Sequence, residues 1–171
     1  SDEYLQCRSG NEGGMALEYG SFILDTIKPF IDKTYRTSPD RKNTFLMGAS
    51  FGGNFTLYGA MTFGDHFSKF IAMSPALFWD NHCILKQLNA GLKRLPDKLW
   101  IDMGAHEGDD NGAFINGVKE VGEAYDLLAQ AGLIPNSSLK KFIDPVGTHY
   151  EKYWGARFEK ALRFVFARDS K

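Results

Sequence analysis

Apolar residues recur along this chain with two periods, one helical and one short and continuous. Residues 1–14 are polar and glycine-bearing, without a period, and read as loop. Beyond them Phe22, Ile23, Ile27, Phe30 and Ile31 repeat at helical spacing and predict a helix over residues 15–34, bent locally by Pro29. A turn at 37–41 leads to a short apolar run, 44–47, that predicts a buried strand, and residues 54–61 predict the helix after it. A second strand is expected over 67–73, ending at Ser74-Pro75, and a helix over 81–92 with Ile84, Leu85, Leu88 and Leu92 on one side. Pro96-Asp97 introduces a third strand, 98–103. Phe114, Val118, Val121, Tyr125 and Leu128 then space an amphipathic helix that stops at Gly132. Residues 139–144 predict a fourth strand, followed by a last helix whose apolar face is Trp154, Phe158, Leu162 and Val165.

Strands alternating with helices imply βαβ units, and continuous apolar strands imply a mainly parallel sheet flanked by helices: an α/β fold in one domain, residues 1–171. In such sheets the chemistry collects at the carboxyl ends of the strands. The first of those ends carries Gly48-Ala49-Ser50-Phe51-Gly52-Gly53. A strand, then G-x-S-x-G, then a helix is the signature of a turn tight enough to push a serine side chain clear of the backbone, which makes Ser50 the candidate nucleophile. A serine hydroxyl needs a base near neutral pH, and the base needs a carboxylate to fix its tautomer. After the third strand come Glu107, Asp109 and Asp110; after the fourth comes His149. Glu107 lies closest to its strand end and is the preferred acid. His149 combines a strand end with a glycine-containing approach and the last place in the order Ser50, Glu107, His149, whereas His66 reads as a surface or capping residue, His82 as part of a helix entry, and His106 lies in the acid loop with nothing downstream of it to supply an acid in the expected order.

Composition narrows the partners. A formal net charge of -1, with no long run of like charge, argues against nucleic acid or an anionic membrane as a partner. No signal peptide and no bilayer-length apolar stretch is present, so the chain as given is expected to be soluble; its location is left open, with the cytoplasm preferred. Cys7 and Cys83 fit no metal spacing and no disulfide framework; they read as unreactive structural thiols, with a single bridge between them as the alternative.

Several motifs stand in register with one family. Residues 28–37, the elbow at 48–53, Met73-Ser74-Pro75-Ala76-Leu77-Phe78-Trp79, Gly104-Ala105-His106-Glu107 and Gly147-Thr148-His149 with Trp154 resemble the esterase family of α/β-hydrolases that includes enterochelin-type siderophore esterases, feruloyl esterases, S-formylglutathione hydrolases and mycolyltransferases. The resemblance runs from about Gly13 to the C-terminus. It implies a Ser50–His149–Glu107 triad, an oxyanion-hole donor at the backbone N–H of Phe51, and pocket walls at Trp79 and Trp154. The implied activity is hydrolysis of a small-molecule carboxylic ester through an acyl-enzyme, with no metal and no organic cofactor; acyl transfer and a non-catalytic binding module are the alternatives. Only 49 residues precede Ser50, room for at most one further strand when a βαβ unit needs ~30 residues. The chain is therefore expected to be the carboxyl part of a longer polypeptide or a reduced version of the fold. The second oxyanion donor stays unassigned, and an incomplete sheet exposes an edge through which two copies could pair.

Overall fold

The computed structural model describes residues 2–108 and 112–167. The chain opens with a 3-10 turn, Asp2–Tyr4, and a small antiparallel hairpin of β1 (Arg8–Ser9) and β2 (Glu12–Gly13), where the sequence predicts only loop. The predicted first helix is divided in two, α1 (Ala16–Phe22) and α2 (Lys28–Thr34), by a π-helical turn at Ile23–Ile27. Pro29 has no N–H to offer the carbonyl four residues back, and the ladder widens just before it, with Lys28 N–H donating to the Ile23 carbonyl. Phe22, Ile27, Phe30 and Ile31, which the helical period marks as an apolar face, remain exposed.

The rest of the chain follows the alternation: β3 (Phe45–Ala49), α3 (Phe51–Thr62), β4 (Lys69–Met73), α4 (Trp79–Leu88), β5 (Lys98–Gly104), α5 (Gly117–Gln130), β6 (Leu139–Asp144) and α6 (Glu151–Phe166). Strands β3 to β6 form one sheet in sequence order, and every pairing in it is parallel. The two inner strands are apolar on both faces. Phe70 and Ala72 of β4, with Leu99, Ile101 and Met103 of β5, face a core built on α3, α4 and α5; Ile71, Met73 and Trp100 face a smaller core closed by Ala161 and Val165 of α6. This is the α/β architecture expected, helices on both faces of a parallel sheet.

Two expectations need correction. The buried stripe of α6 is not Trp154–Phe158–Leu162–Val165: Phe158 is 38% exposed, and Arg157 is buried in its place beside Ala161 and Val165. Helix α4 does not run regularly through its predicted start, because Asp80, Asn81 and His82 lie at φ 44°, 52° and 61°, a left-handed turn before the right-handed helix begins. Such a run is costly for residues that carry a Cβ and persists only when neighbours over-determine it.

One of those neighbours is Cys7, which is joined to Cys83 in a disulfide, so the two are not separate thiols. A separation of 76 residues carries no sequence signal; the pair meets because the N-terminal segment folds back over the start of α4, where Trp79 Nε1–H also donates to the Cys7 carbonyl at 3.0 Å. Among the described residues no helix is long and apolar enough to cross a membrane. Closing a loop of 76 residues stabilises the native state relative to the unfolded chain by about 4.5 kcal/mol on the chain-entropy account. Reduction is therefore expected to lower the thermal midpoint, and the Cys7→Ala/Cys83→Ala protein is expected to show the lowered midpoint with or without reductant in a calorimetric scan.

Candidate active site

Ser50 sits between β3 and α3 at φ 57° and ψ −121°, a strained conformation for a residue with a side chain. Three backbone bonds hold it there: its N–H donates to the Met73 carbonyl at 3.0 Å, and its carbonyl accepts from Asn54 N–H and Ala76 N–H, both at 3.1 Å. The buried Asn54 amide adds a fourth tie, donating to the Ala76 carbonyl at 2.8 Å. The outer glycines of the pattern are not equivalent. A Cβ on Gly48 would lie 2.3 Å from the Gly52 carbonyl oxygen, so only glycine lets the strand end and the helix start pass; a Cβ on Gly52 would meet nothing within 4 Å. Beside the serine, along the open edge of β3, lies a cavity of about 470 Å³ whose walls include Tyr4, Tyr19, Ile23, Met47 and Phe51.

The loops after β5 and β6 meet back to back. A Cβ on Gly104 would lie 2.4 Å from the Gly147 carbonyl oxygen. With that approach open, Ala105 N–H donates to the Asp144 carbonyl at 2.8 Å and His106 N–H to the Gly147 carbonyl at 2.9 Å. Glu107 and His149 are thereby brought together. Glu107 is 1% exposed, and its Oε1 accepts from Gly104 N–H at 2.6 Å and from the Ser74 hydroxyl at 2.5 Å. Its Oε2 faces His149 Nδ1 at 2.7 Å, and His149 Nε2 stands 2.9 Å from Ser50 Oγ.

The direction of these bonds follows from the carboxyl. Burial alone would raise its pKa, but hydrogen bonds from His149, Ser74 and the Gly104 N–H outweigh burial and hold it below the usual glutamate value. An ionised carboxylate only accepts, so Nδ1 carries the hydrogen, Nε2 is left as the acceptor, and the Ser50 hydroxyl donates to it. The imidazole is stacked on Phe114, with ring centroids 3.9 Å apart and planes at 27°, and meets the edge of Trp154 at 5.0 Å and 83°.

Comparison along the whole chain gives its family and fold. A family model described as Putative esterase matches residues 3–165. The chain belongs to that family. Relatives of this esterase-family chain include the ferri-bacillibactin esterase BesA of Bacillus subtilis, 28% identical over 167 residues that make up 95% of this chain and 55% of BesA. Among solved structures, the BES protein of Bacillus cereus superposes with a TM-score of 0.73 at 22% identity, over 96% of this chain and 62% of that one. The enterobactin esterase FES of Shigella flexneri gives 0.73 at 16% identity, over 88% and 38%. The fold is that of the α/β-hydrolases, and the chain spans about half the length of BesA.

Ser50, Glu107 and His149 thus lie together in space, as the sequence expects. Phe51 is the first residue of α3, a position whose N–H has no acceptor within the helix. Trp79 packs edge-on against Phe51, ring centroids 5.4 Å apart, while Trp154 directs Nε1–H to Ser74 Oγ at 3.1 Å. His82 pairs with Glu120 at 2.9 Å, and His66 is exposed. Asp109 and Asp110, the rejected acids, lie outside the described residues.

Four residues at the site escape the sequence reading: Phe114, Ser74, Arg157 and Asp102. Phe114 fits the helical period read for α5 but lies ahead of that helix, at the end of a 3-10 turn, Gly112–Phe114, and Ser74-Pro75 reads as the end of a strand. Arg157 had a legible signal, a lone cation three residues after Trp154 and four before Ala161, on a face that must be buried. Asp102 is fully buried in β5, and burial pushes its carboxyl up to about 6 against the opposing pull of Arg157, Trp100 Nε1–H and Ser74 N–H.

Two outcomes are expected. Gly48→Ala collapses the soluble fold, whereas Gly52→Ala leaves the urea midpoint within about 1 kcal/mol of the parent or above it, since alanine is the better helix former. Asp102 binds its proton more tightly in the folded than in the unfolded state, so its contribution is full below about pH 4 and is lost as pH rises through about 6. Glu107 works in the opposite sense, its contribution being lost as pH falls through its lowered value. Relative to Asp102→Asn, the parent should lose stability between pH 4 and 7, read from urea unfolding at each pH.

Proposed function

We propose that this chain is the catalytic portion of a serine carboxylic-ester hydrolase, in which Ser50 is the nucleophile, His149 the general base and acid, and Glu107 the carboxylate that orients it. The observation that carries the reading is the continuous hydrogen-bonded line from Ser50 Oγ through the imidazole to the buried Glu107 carboxylate, at the ends of parallel strands. As Oγ attacks the ester carbonyl, its proton passes to His149 Nε2, and Glu107 stabilises the imidazolium that forms. Negative charge develops on the carbonyl oxygen, within reach of the Phe51 N–H and the positive end of α3. Collapse of the tetrahedral species breaks the bond to the alcohol, which leaves with the proton from Nε2. Water then gives its proton to Nε2 and attacks the acyl-serine, and the acid departs as Oγ regains its hydrogen.

The cavity beside Ser50 takes the small-molecule ester; Trp79 and Trp154 do not line it, Trp79 packing behind Phe51 of its wall and Trp154 against the edge of His149. The names of BesA and FES support an ester of the siderophore class. The Cys7–Cys83 bridge favours an oxidising compartment over the cytoplasm expected from sequence, because cytosolic thiols are kept reduced.

Treatment with a fluorophosphonate should add one phosphonyl group at Ser50, read as an intact-mass increase that Ser50→Ala abolishes. On p-nitrophenyl acetate, Ser50→Ala and His149→Ala should each cost at least ~10³-fold in turnover, with the double variant no slower than either single one, because the two act as a unit. Hydrolysis by Ser50→Ala at the parent rate would end the reading.

A further inference from the structure

Behind the Glu107–His149 pair lies a group of buried polar side chains that the hydrolytic reading leaves without a task. At its centre is Ser74, the residue after β4, fully buried and held at φ 42°. Its N–H is spent on Asp102, donating to the backbone carbonyl at 3.0 Å and to Oδ1 at 3.1 Å. Its hydroxyl is saturated. Trp154 Nε1–H donates to Oγ at 3.1 Å and Arg157 Nη2–H at 2.6 Å, so both lone pairs are taken by groups that can only donate. The one hydroxyl hydrogen therefore has a single destination, Glu107 Oε1 at 2.5 Å.

The guanidinium of Arg157, 1% exposed, is faced by three carboxylates from three places: Asp102 of β5 at 3.2 Å, Glu107 of the loop beyond β5 at 3.4 Å, and Asp144 at the end of β6 at 3.6 Å. Its Nε and Nη1 have no hydrogen-bond partner among the described residues. Burying such a cation costs free energy that the ion pairs only partly offset, and a core of this size would accept an apolar residue at the position instead.

We propose that Ser74 and Arg157 are positioning residues that clamp the catalytic carboxylate by one oxygen. Three donors converge on Oε1, namely Gly104 N–H, Ser74 O–H and Arg157 Nη2–H, while among the described residues His149 alone addresses Oε2. The carboxylate cannot rotate to share its better acceptor with the backbone, and the plane of the imidazole, with it the direction of Nε2, is set by a group two bonds removed from it. Ser74 supplies the geometry. Arg157 supplies the charge: a guanidinium 3.4 Å from Oε1 favours the ionised form of Glu107 and opposes its protonation. This rests on Glu107 and His149 acting as acid and base, and its test is arranged so that the two ideas can fail separately.

The test uses histidine-¹⁵N-labelled protein, in which the Nδ1–H of His149 gives a downfield proton resonance whatever the turnover. Ser74→Ala, which keeps the Cβ and the net charge, should move that resonance upfield or broaden it away and slow fluorophosphonate labelling and kcat by ~10- to 100-fold with KM held within about twofold. Arg157→Met, which removes the cation 3.4 Å from Oε1, should let Glu107 take up its proton at a higher pH than in the parent, read from the loss of the Nδ1–H resonance, and Arg157→Lys, which retains the charge, should not. If Ser74→Ala folds to the parent near-ultraviolet spectrum and leaves both the resonance and the labelling rate unchanged, the clamp is overturned, even should Arg157→Met prove insoluble. An unchanged midpoint in soluble Arg157→Met overturns the electrostatic half. Persistence of hydrolysis in Ser50→Ala removes the hydrolase reading alone, since the resonance and its titration do not depend on turnover.

Discussion

A carboxylate sealed from water must be fully partnered, and in this molecule the requirement organises everything around Glu107. Its partners come from the end of β5, from the turn after β4, from the loop after β6 and from the middle of α6, so four separate stretches of chain have to arrive within hydrogen-bonding distance of one group. Leaving any of them short would expose a buried charge to a cost larger than most single contacts repay. The parallel register makes the arrival possible, since β4, β5 and β6 end side by side, with Met73 opposite Asp102 and Gly104 opposite Asp144. The bare α-carbons of Gly104 and Gly147 then let the two loops touch without an intervening side chain.

The strained backbone at the site follows from the same geometry. Ser50 and Ser74 both sit at positive φ immediately after parallel strands, each tied through its N–H to the neighbouring strand, Ser50 to Met73 and Ser74 to Asp102. One strained residue presents a hydroxyl outward to the imidazole, and the other presents a hydroxyl inward to the acid. The imidazole between them is held from the sides by Phe114 and Trp154.

Much of this was readable from residue order, and the parts that were not share a cause. The strand at Leu139–Asp144 and the helix ending at Gly132 follow from local period and local stop signals, and the elbow from a short motif that acts through its own backbone. Ser50, Glu107 and His149 followed from three strand ends in a known order. By contrast Ser74, Asp102 and Arg157 owe their roles to contacts between elements 28 to 83 residues apart, for which no local period exists. Arg157 even inverted the reading of α6, because a stripe of apolar letters was favoured over one containing a cation that its surroundings neutralise. The Cys7–Cys83 bridge stands only as the alternative reading for the same reason, its two halves being unremarkable in their own neighbourhoods.

The two borders of the sheet are unlike each other. The β6 side carries Lys140 and Lys141, charges that discourage a foreign strand from adding itself, whereas β3 reads Phe-Leu-Met-Gly-Ala with neither charge nor proline, beside the uncovered Phe22, Ile27 and Phe30. That border, rather than the β6 side, offers the unpaired backbone donors and acceptors to which a further β-strand can add.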